Sequence, residues 1–151
     1  MNDVFVQIMH PGVRINESAI KEYTRAVLRK LHLSINAITI VLVDNEYLRQ
    51  LHAEYLGDDS YTDIMTFPLH EPGEPISADI VISVDMAEDN AQFYQVPVEE
   101  ELRRLIIHGL LHLSGMDDAT GEDQKRMREK ENELLQTLPF GNDFLKESVG
   151  N

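Results

Sequence analysis

The sequence predicts an α/β fold: a single domain in which a mixed sheet of about four strands carries helices packed on it. Three observations lead there. Apolar residues switch between strand-like runs and helical spacing in the order β-α-β-α-β-β-α-α-α. No internal repeat and no Pro/Gly-rich linker divides the chain. At 151 residues and 42% apolar content, the chain fits one core that buries roughly 68–70% of the unfolded surface.

Residues 4–9 (VFVQIM) have the β-branched and apolar character of a short strand, which Pro11-Gly12 ends. Asn16 or Ser18 caps a helix to about Leu31, with Ile20, Tyr23, Val27, Leu28 and Leu31 on one side and Lys21, Arg25 and Arg29 on another. Residues 37–44 (AITIVLVD) form a nearly unbroken apolar run, as expected of a strand covered on both faces, and Asp44 caps a helix through Tyr55. The turn cluster 57–60 (GDDS) precedes two further strands, 64–69 (IMTFPL) and 78–84 (ADIVISV), around the loop HEPGEPIS. A third helix begins at Asp85 and ends before Pro97, which opens a fourth helix through Leu113 that Gly115 stops. Thr120 with Asp123 starts the last helix, to about Leu138. The domain thus occupies residues 1–138, and 139–151 read as a flexible, frayed tail.

Composition removes several chemistries. The chain has no cysteine, so disulfides, thiol nucleophiles, thiolate zinc sites and iron–sulfur clusters are excluded, and a metal must be held by His, Asp or Glu. No apolar run approaches ~18 residues, and MNDVFVQIMH has no leader character, so a cytoplasmic protein without membrane contact is expected. The net charge of −14 repels polyanions except where cations cluster. They cluster at Lys21/Arg25/Arg29, Arg103/Arg104 and Lys125/Arg126/Arg128/Lys130, which read first as solvated helix faces.

The chemistry-bearing segment is 102–118, LRRLIIHGLLHLSGMDD. From Leu105 to Leu113 the helix is apolar nearly all round and therefore buried. His108 and His112 interrupt it at i and i+4, so both imidazoles leave one face with Cβ atoms about 5–6 Å apart. Two buried polar rings need a partner, and a divalent metal accepts a lone pair from each. Gly115 can take the left-handed turn that folds the chain back, so that Asp117 or Asp118 reaches the same ion. The pattern H-x-x-x-H-x-x-G-x-x-D has the spacing of the extended zinc motif of metzincin-type sites, which makes the expected fold zincin-like. His10, His32, His52 and His70 stand singly and read as surface or turn residues.

Together HGLLHLSGMDD, YTDIMTFPL (61–69) and ADIVIS (78–83), in this order and at these separations, resemble the bacterial YbeY family of endoribonucleases over most of residues 4–138. The resemblance implies a zinc-dependent, single-strand-specific endoribonuclease acting in 16S rRNA 3′-end maturation and ribosome quality control. Its expected partners are single-stranded rRNA, the ribosomal small subunit and assembly proteins, with no DNA. The family motif usually ends in a third metal-binding His; His108 and His112 match the first two ligands, and Asp118 stands at the third position. Asp117 matches the penultimate Asp and is the catalytic candidate, orienting a ligand or water. Thr62, Asp63 and Thr66 fall in the family's strand block and are the expected substrate-binding residues, since strand ends often line a cleft.

Two positions depart from the family. Asp118 replaces His, a change zinc tolerates because a carboxylate also binds it, at about 2.0–2.2 Å. Leu56 stands where the family typically carries an Arg that engages RNA phosphate, and leucine offers no charge-assisted contact. Arg25, Arg29 and Arg103 are the candidate substitutes. Two other functions compete. A zincin-like metalloprotease needs Glu directly after the first His, where this chain has Gly109. A non-catalytic ribosome-assembly factor with a structural metal is favoured by Leu56 and the −14 charge.

Overall fold

The computed structural model describes residues 3–138 and 143–146. Its elements are β1 (Asp3–Ile8), α1 (Glu17–Lys30), β2 (Ile35–Val43), α2 (Asn45–Leu56), β3 (Ile64–Pro68), β4 (Ile76–Ser83), α3 (Val84–Tyr94), α4 (Val98–Leu113) and α5 (Gly121–Thr137). The strands form one sheet in the order β1-β2-β4-β3. β1 and β4 run parallel to β2, while β3 runs antiparallel to β4 on the edge. The mixed sheet expected from the sequence is therefore present.

Caps explain the boundaries. The Asn16 side chain accepts from the Ala19 amide at the start of α1, and Asp44 accepts from Tyr47 at the start of α2. α3 begins at Val84 rather than Asp85, because Ser83 ends β4 and its Oγ accepts the Met86 amide at 3.1 Å. Asp85 is thereby freed to tie elements together, its carboxylate accepting the Asn45 amide at 2.9 Å and meeting His10 Nε2 at 2.9 Å. His10, expected as a surface or turn residue, stands at a turn where its Nδ1 accepts the Gly12 amide at 3.0 Å, and its side chain is 14% exposed.

The central strands are covered on both faces. Ile38, Ile40, Leu42, Ile80 and Ile82 point into the main core with Ile20 and Val27 of α1 and Leu102, Ile106, Ile107 and Leu110 of α4. Val41, Val43 and Val81 turn to the other face and meet Leu48 of α2 and Met65 of β3. This two-sided burial is why β2 reads as an unbroken apolar run. Among the described residues, no helix is long and apolar enough to cross a membrane.

Within the stretch expected to be a frayed tail, Asp143–Lys146 packs against the domain. Phe144 is 1% exposed and packs edge-on against Tyr23 with ring centroids 5.7 Å apart, under the Arg103 guanidinium. The Phe144 and Leu145 amides donate to the Glu99 carboxylate at 2.8 and 2.9 Å, and the Asn16 amide donates to the Phe144 carbonyl. A single aromatic anchor and a paired carboxylate hold this segment, a feature no periodicity could reveal in so short a stretch. The remainder of 139–151 lies outside the described residues. Phe144→Ala is expected to lower stability by about 3–5 kcal/mol, the usual cost of deleting a core aromatic; urea unfolding of the two proteins measures it.

Candidate metal centre

Helix α4 carries the two imidazoles because it lies directly on the sheet. A Cβ at Gly109 would stand 3.1 Å from Ile80 Cγ2 and 3.3 Å from Ile64 Cδ1, tighter than ordinary contact, so glycine lets the helix pack here without displacing either isoleucine. Glycine at that position also leaves the site without the glutamate general base that the metalloprotease alternative needs. His108 and His112, one residue before and three after Gly109, emerge from the edge of the contact toward solvent, partly buried.

Past His112 the helix ends on Gly115 at φ 106°, with the Gly115 amide donating to the His112 carbonyl and the Met116 amide to Leu111. This glycine closure turns the chain back over the last turn of α4. Asp118 consequently faces the imidazoles. Its Oδ2 lies 3.5 Å from His108 Nε2 and 3.3 Å from His112 Nε2, and the two Nε2 atoms are 3.1 Å apart. Ligands held tetrahedrally at about 2.0–2.1 Å from a zinc ion stand roughly 3.3–3.4 Å from one another. The three donor atoms therefore have the spacing to hold one small ion. Asp117 goes elsewhere. It is exposed, its Oδ1 accepts the Asp118 amide at 2.8 Å, and it is absent from the walls of both clefts that meet at the three donor atoms.

Sequence reasoning missed Glu131. This carboxylate, 3% exposed on α5, receives His108 Nδ1 at 2.7 Å and Arg104 Nη1 at 2.9 Å. An Nδ1–H donated to Glu131 leaves the Nε2 lone pair free to face Asp118 and His112, which fixes the tautomer a ligand needs. Burial disfavours the charged ring, yet the hydrogen bond and charge of Glu131, joined by Asp118 and Asp63, outweigh it and raise His108 above its usual 6.5. A signal existed: Met127, Glu131, Leu134 and Leu135 share the buried stripe of α5, and an acid inside such a stripe needs a partner.

The residues of the strand block surround the centre. Asp63 precedes β3 and its Oδ2 accepts from Asn90 Nδ2 at 3.0 Å, while Thr62 Oγ1 donates to the Ile64 carbonyl at 3.4 Å. Thr62, Asp63 and Thr66 line a cleft of about 730 Å³ together with His108, His112 and Asp118. Tyr55, Leu56, Phe67 and Pro68 form its apolar wall, Tyr55 and Phe67 meeting edge to face at 5.2 Å. His52, expected as a surface or turn residue, also lines it. None of the substitute cations is here. Arg25 and Arg29 border a separate depression on α1, and Arg103 is 4% exposed between Tyr23 and Phe144.

Glu101, 5% exposed on α4, accepts from the same Asn90 amide. Burial, with the charge of Asp63, pushes its carboxyl above the usual 4.5 despite Asn90, Arg104 and Arg128. The native state thus holds this proton more tightly than the unfolded chain, so the associated stability is full below pH 4.5 and lost as pH rises through the raised value. Glu101→Gln is accordingly expected to raise the melting temperature at pH 7 and to change it little in acid, as thermal melts at both pH values report.

Fold and site define a class: an α/β domain that gathers a His-His-carboxylate cluster able to hold a metal ion, on a buried helix beside an open cleft. The endoribonuclease YbeY family matches residues 7–139. An endoribonuclease YbeY of Flavobacterium johnsoniae is 40% identical over 120 residues, covering 80% of this chain and 86% of that one. One from Aquifex aeolicus is 36% identical over 140 residues, covering 91% and 92%. A Thermotoga maritima protein solved in solution superposes with TM-score 0.61 at 27% identity over 87% of each chain. This chain belongs to the YbeY family of endoribonucleases.

Proposed function

We propose that this chain is a zinc-dependent endoribonuclease that cuts single-stranded RNA, with His108, His112 and Asp118 as ligands. The setting proposed is maturation of small-subunit rRNA in the cytoplasm, in company with the ribosomal subunit and its assembly proteins. The observation that carries the reading is the convergence of three donor atoms within 4.8 Å of one another on a cleft of about 730 Å³. Two imidazoles and a carboxylate suit zinc among the divalent metals.

When bound at such a site, zinc supplies Lewis-acid chemistry, polarising a phosphodiester oxygen and making water more acidic. The chain's own residues do the rest. Glu131 holds the His108 ring by its Nδ1 and keeps Nε2 aimed at the cleft. Asp117 steadies the Asp118 backbone through its amide. Asp63, anchored by Asn90, presents a carboxylate at the cleft wall to orient a hydroxyl or water, and Thr62 before β3 and Thr66 within it offer hydroxyls to the same cleft. Tyr55, 61% exposed, with Phe67 gives unpaired bases an aromatic surface on which a duplex could not stack. A structural metal is normally closed by four protein ligands, whereas only three converge among the described residues, which weighs against a scaffold role.

Leu56, 66% exposed on the cleft wall, leaves that side without a cation. Leu56→Arg is expected to raise kcat/KM on single-stranded RNA by about tenfold to a hundredfold, since one charge-assisted contact contributes about 1.5–3 kcal/mol. The gain shrinks in high salt. The proposal itself is tested by incubating metal-loaded protein with matched single-stranded and duplex RNA, with and without chelator. Cleavage of the single strand alone, stopped by chelator, is the expected result; no cleavage of either substrate overturns the nuclease reading.

A further inference from the structure

The metal centre opens on two sides. Asp63, His108 and Asp118 line not only the apolar cleft but also a second one, of about 820 Å³, bounded by α3, α4 and α5. The two differ in charge. Among the described residues no Lys or Arg lines the first, whereas Arg104, Lys125 and Arg128 line the second. We propose that this second cleft is the phosphate-binding half of the RNA path, with Arg128 and Lys125 as the cations that hold the backbone beside the metal. The proposal rests on the nuclease reading above and adds the residues that seat its polyanionic substrate.

Charge pairing within the cleft singles out these two. Arg104 is committed to Glu131 and Asn132, at 2.9 and 2.8 Å. Asp63 and Glu101 share the amide of Asn90. Glu131 already serves Arg104 and His108, so its 3.9 Å approach to Arg128 is a weak third contact. Lys125 makes no ion pair among the described residues and is exposed at the rim. Arg128, its side chain 48% exposed, lies over the Tyr94 ring at 5.2 Å, which restrains the guanidinium while leaving donors toward the opening. A planar guanidinium held by an aromatic face suits bidentate contact with a phosphate. In a chain of net charge −14, a polyanion is held only where such unspent cations stand, and these two border the same cleft as the metal ligands. The sequence cluster at 125–130 is thereby divided. Lys125 and Arg128 face the cleft, whereas Arg126 pairs with Asp123 and Lys130 with Glu133.

The test compares metal-loaded wild type, the double variant Lys125→Ala/Arg128→Ala, and a control of equal charge change, Arg25→Ala/Arg29→Ala, whose side chains border the distant α1 depression. Cleavage of a single-stranded RNA oligonucleotide is followed across a salt series. In the double variant KM is expected to rise at least about tenfold at low salt, more than kcat falls. The dependence of log(kcat/KM) on log salt becomes shallower by about 1.4, as two lost phosphate contacts require. Arg128→Lys, which keeps the charge but loses the planar fork, should restore the salt slope while recovering KM only in part. Equal KM and salt slope in the double variant and wild type, or the same change in the control, overturns the proposal. Wild type that cleaves no RNA with metal bound overturns the nuclease reading itself.

Discussion

Proteins carrying His108→Ala or His112→Ala are expected to retain no stoichiometric metal and to cleave RNA at background, while wild type holds about one ion per chain. Each substitution removes one of three donors that stand 3.1–3.5 Å apart, and two remaining ligands rarely hold zinc against buffer. Asp118→Ala should behave in the same way, whereas Asp118→His keeps the ion, because an imidazole there restores the family's usual third donor. Stability follows occupancy: free metal at a thousand times its Kd adds about 4 kcal/mol to the folded state, and that increment disappears in the alanine variants. Elemental analysis with thermal melts in and out of chelator measures both. Full occupancy in His112→Ala would break the ligand assignment.

Glu131 produces the second large effect, although it touches no donor atom of Asp118 or His112. Glu131→Gln should weaken metal affinity about 10–100-fold, because His108 loses the carboxylate that orients its ring. Glu131→Ala should cost about 3–5 kcal/mol of stability in addition, since Arg104, its side chain 14% exposed, is left without its ionic partner. Competition against a chelating dye gives the first quantity and urea unfolding the second. Unchanged metal affinity in Glu131→Gln would mean that packing alone holds the His108 ring.

The elements legible in the sequence are those whose signal is local. β2 declares its two covered faces by an unbroken apolar run, α4 by apolar residues all round, and the helix starts by Asn16, Asp44 and Thr120. The shared face of His108 and His112 is legible for the same reason, being set by helical spacing; the glycine turn brings either Asp117 or Asp118 toward them, and the family resemblance selects Asp118, whose Oδ2 faces both rings. What depends on distant pairing was not. Glu131 reaches His108 from 23 residues away, His10 meets Asp85 across 75, and Phe144 is buried by Tyr23 and Arg103 from two other helices. The sorting of cations was likewise hidden: Arg103 looks like a surface residue beside Arg104, yet only the fold puts it under Phe144 and turns Arg128 toward the metal cleft.

The most direct measurement is to strip the protein of metal and titrate zinc back while following cleavage of a single-stranded RNA. Activity should be absent without metal, rise in proportion to added zinc and saturate at about one equivalent per chain, with Asp118→Ala inactive throughout. Cleavage by the metal-free protein, or no cleavage when one zinc per chain is bound, would contradict a metal-dependent nuclease built on His108, His112 and Asp118.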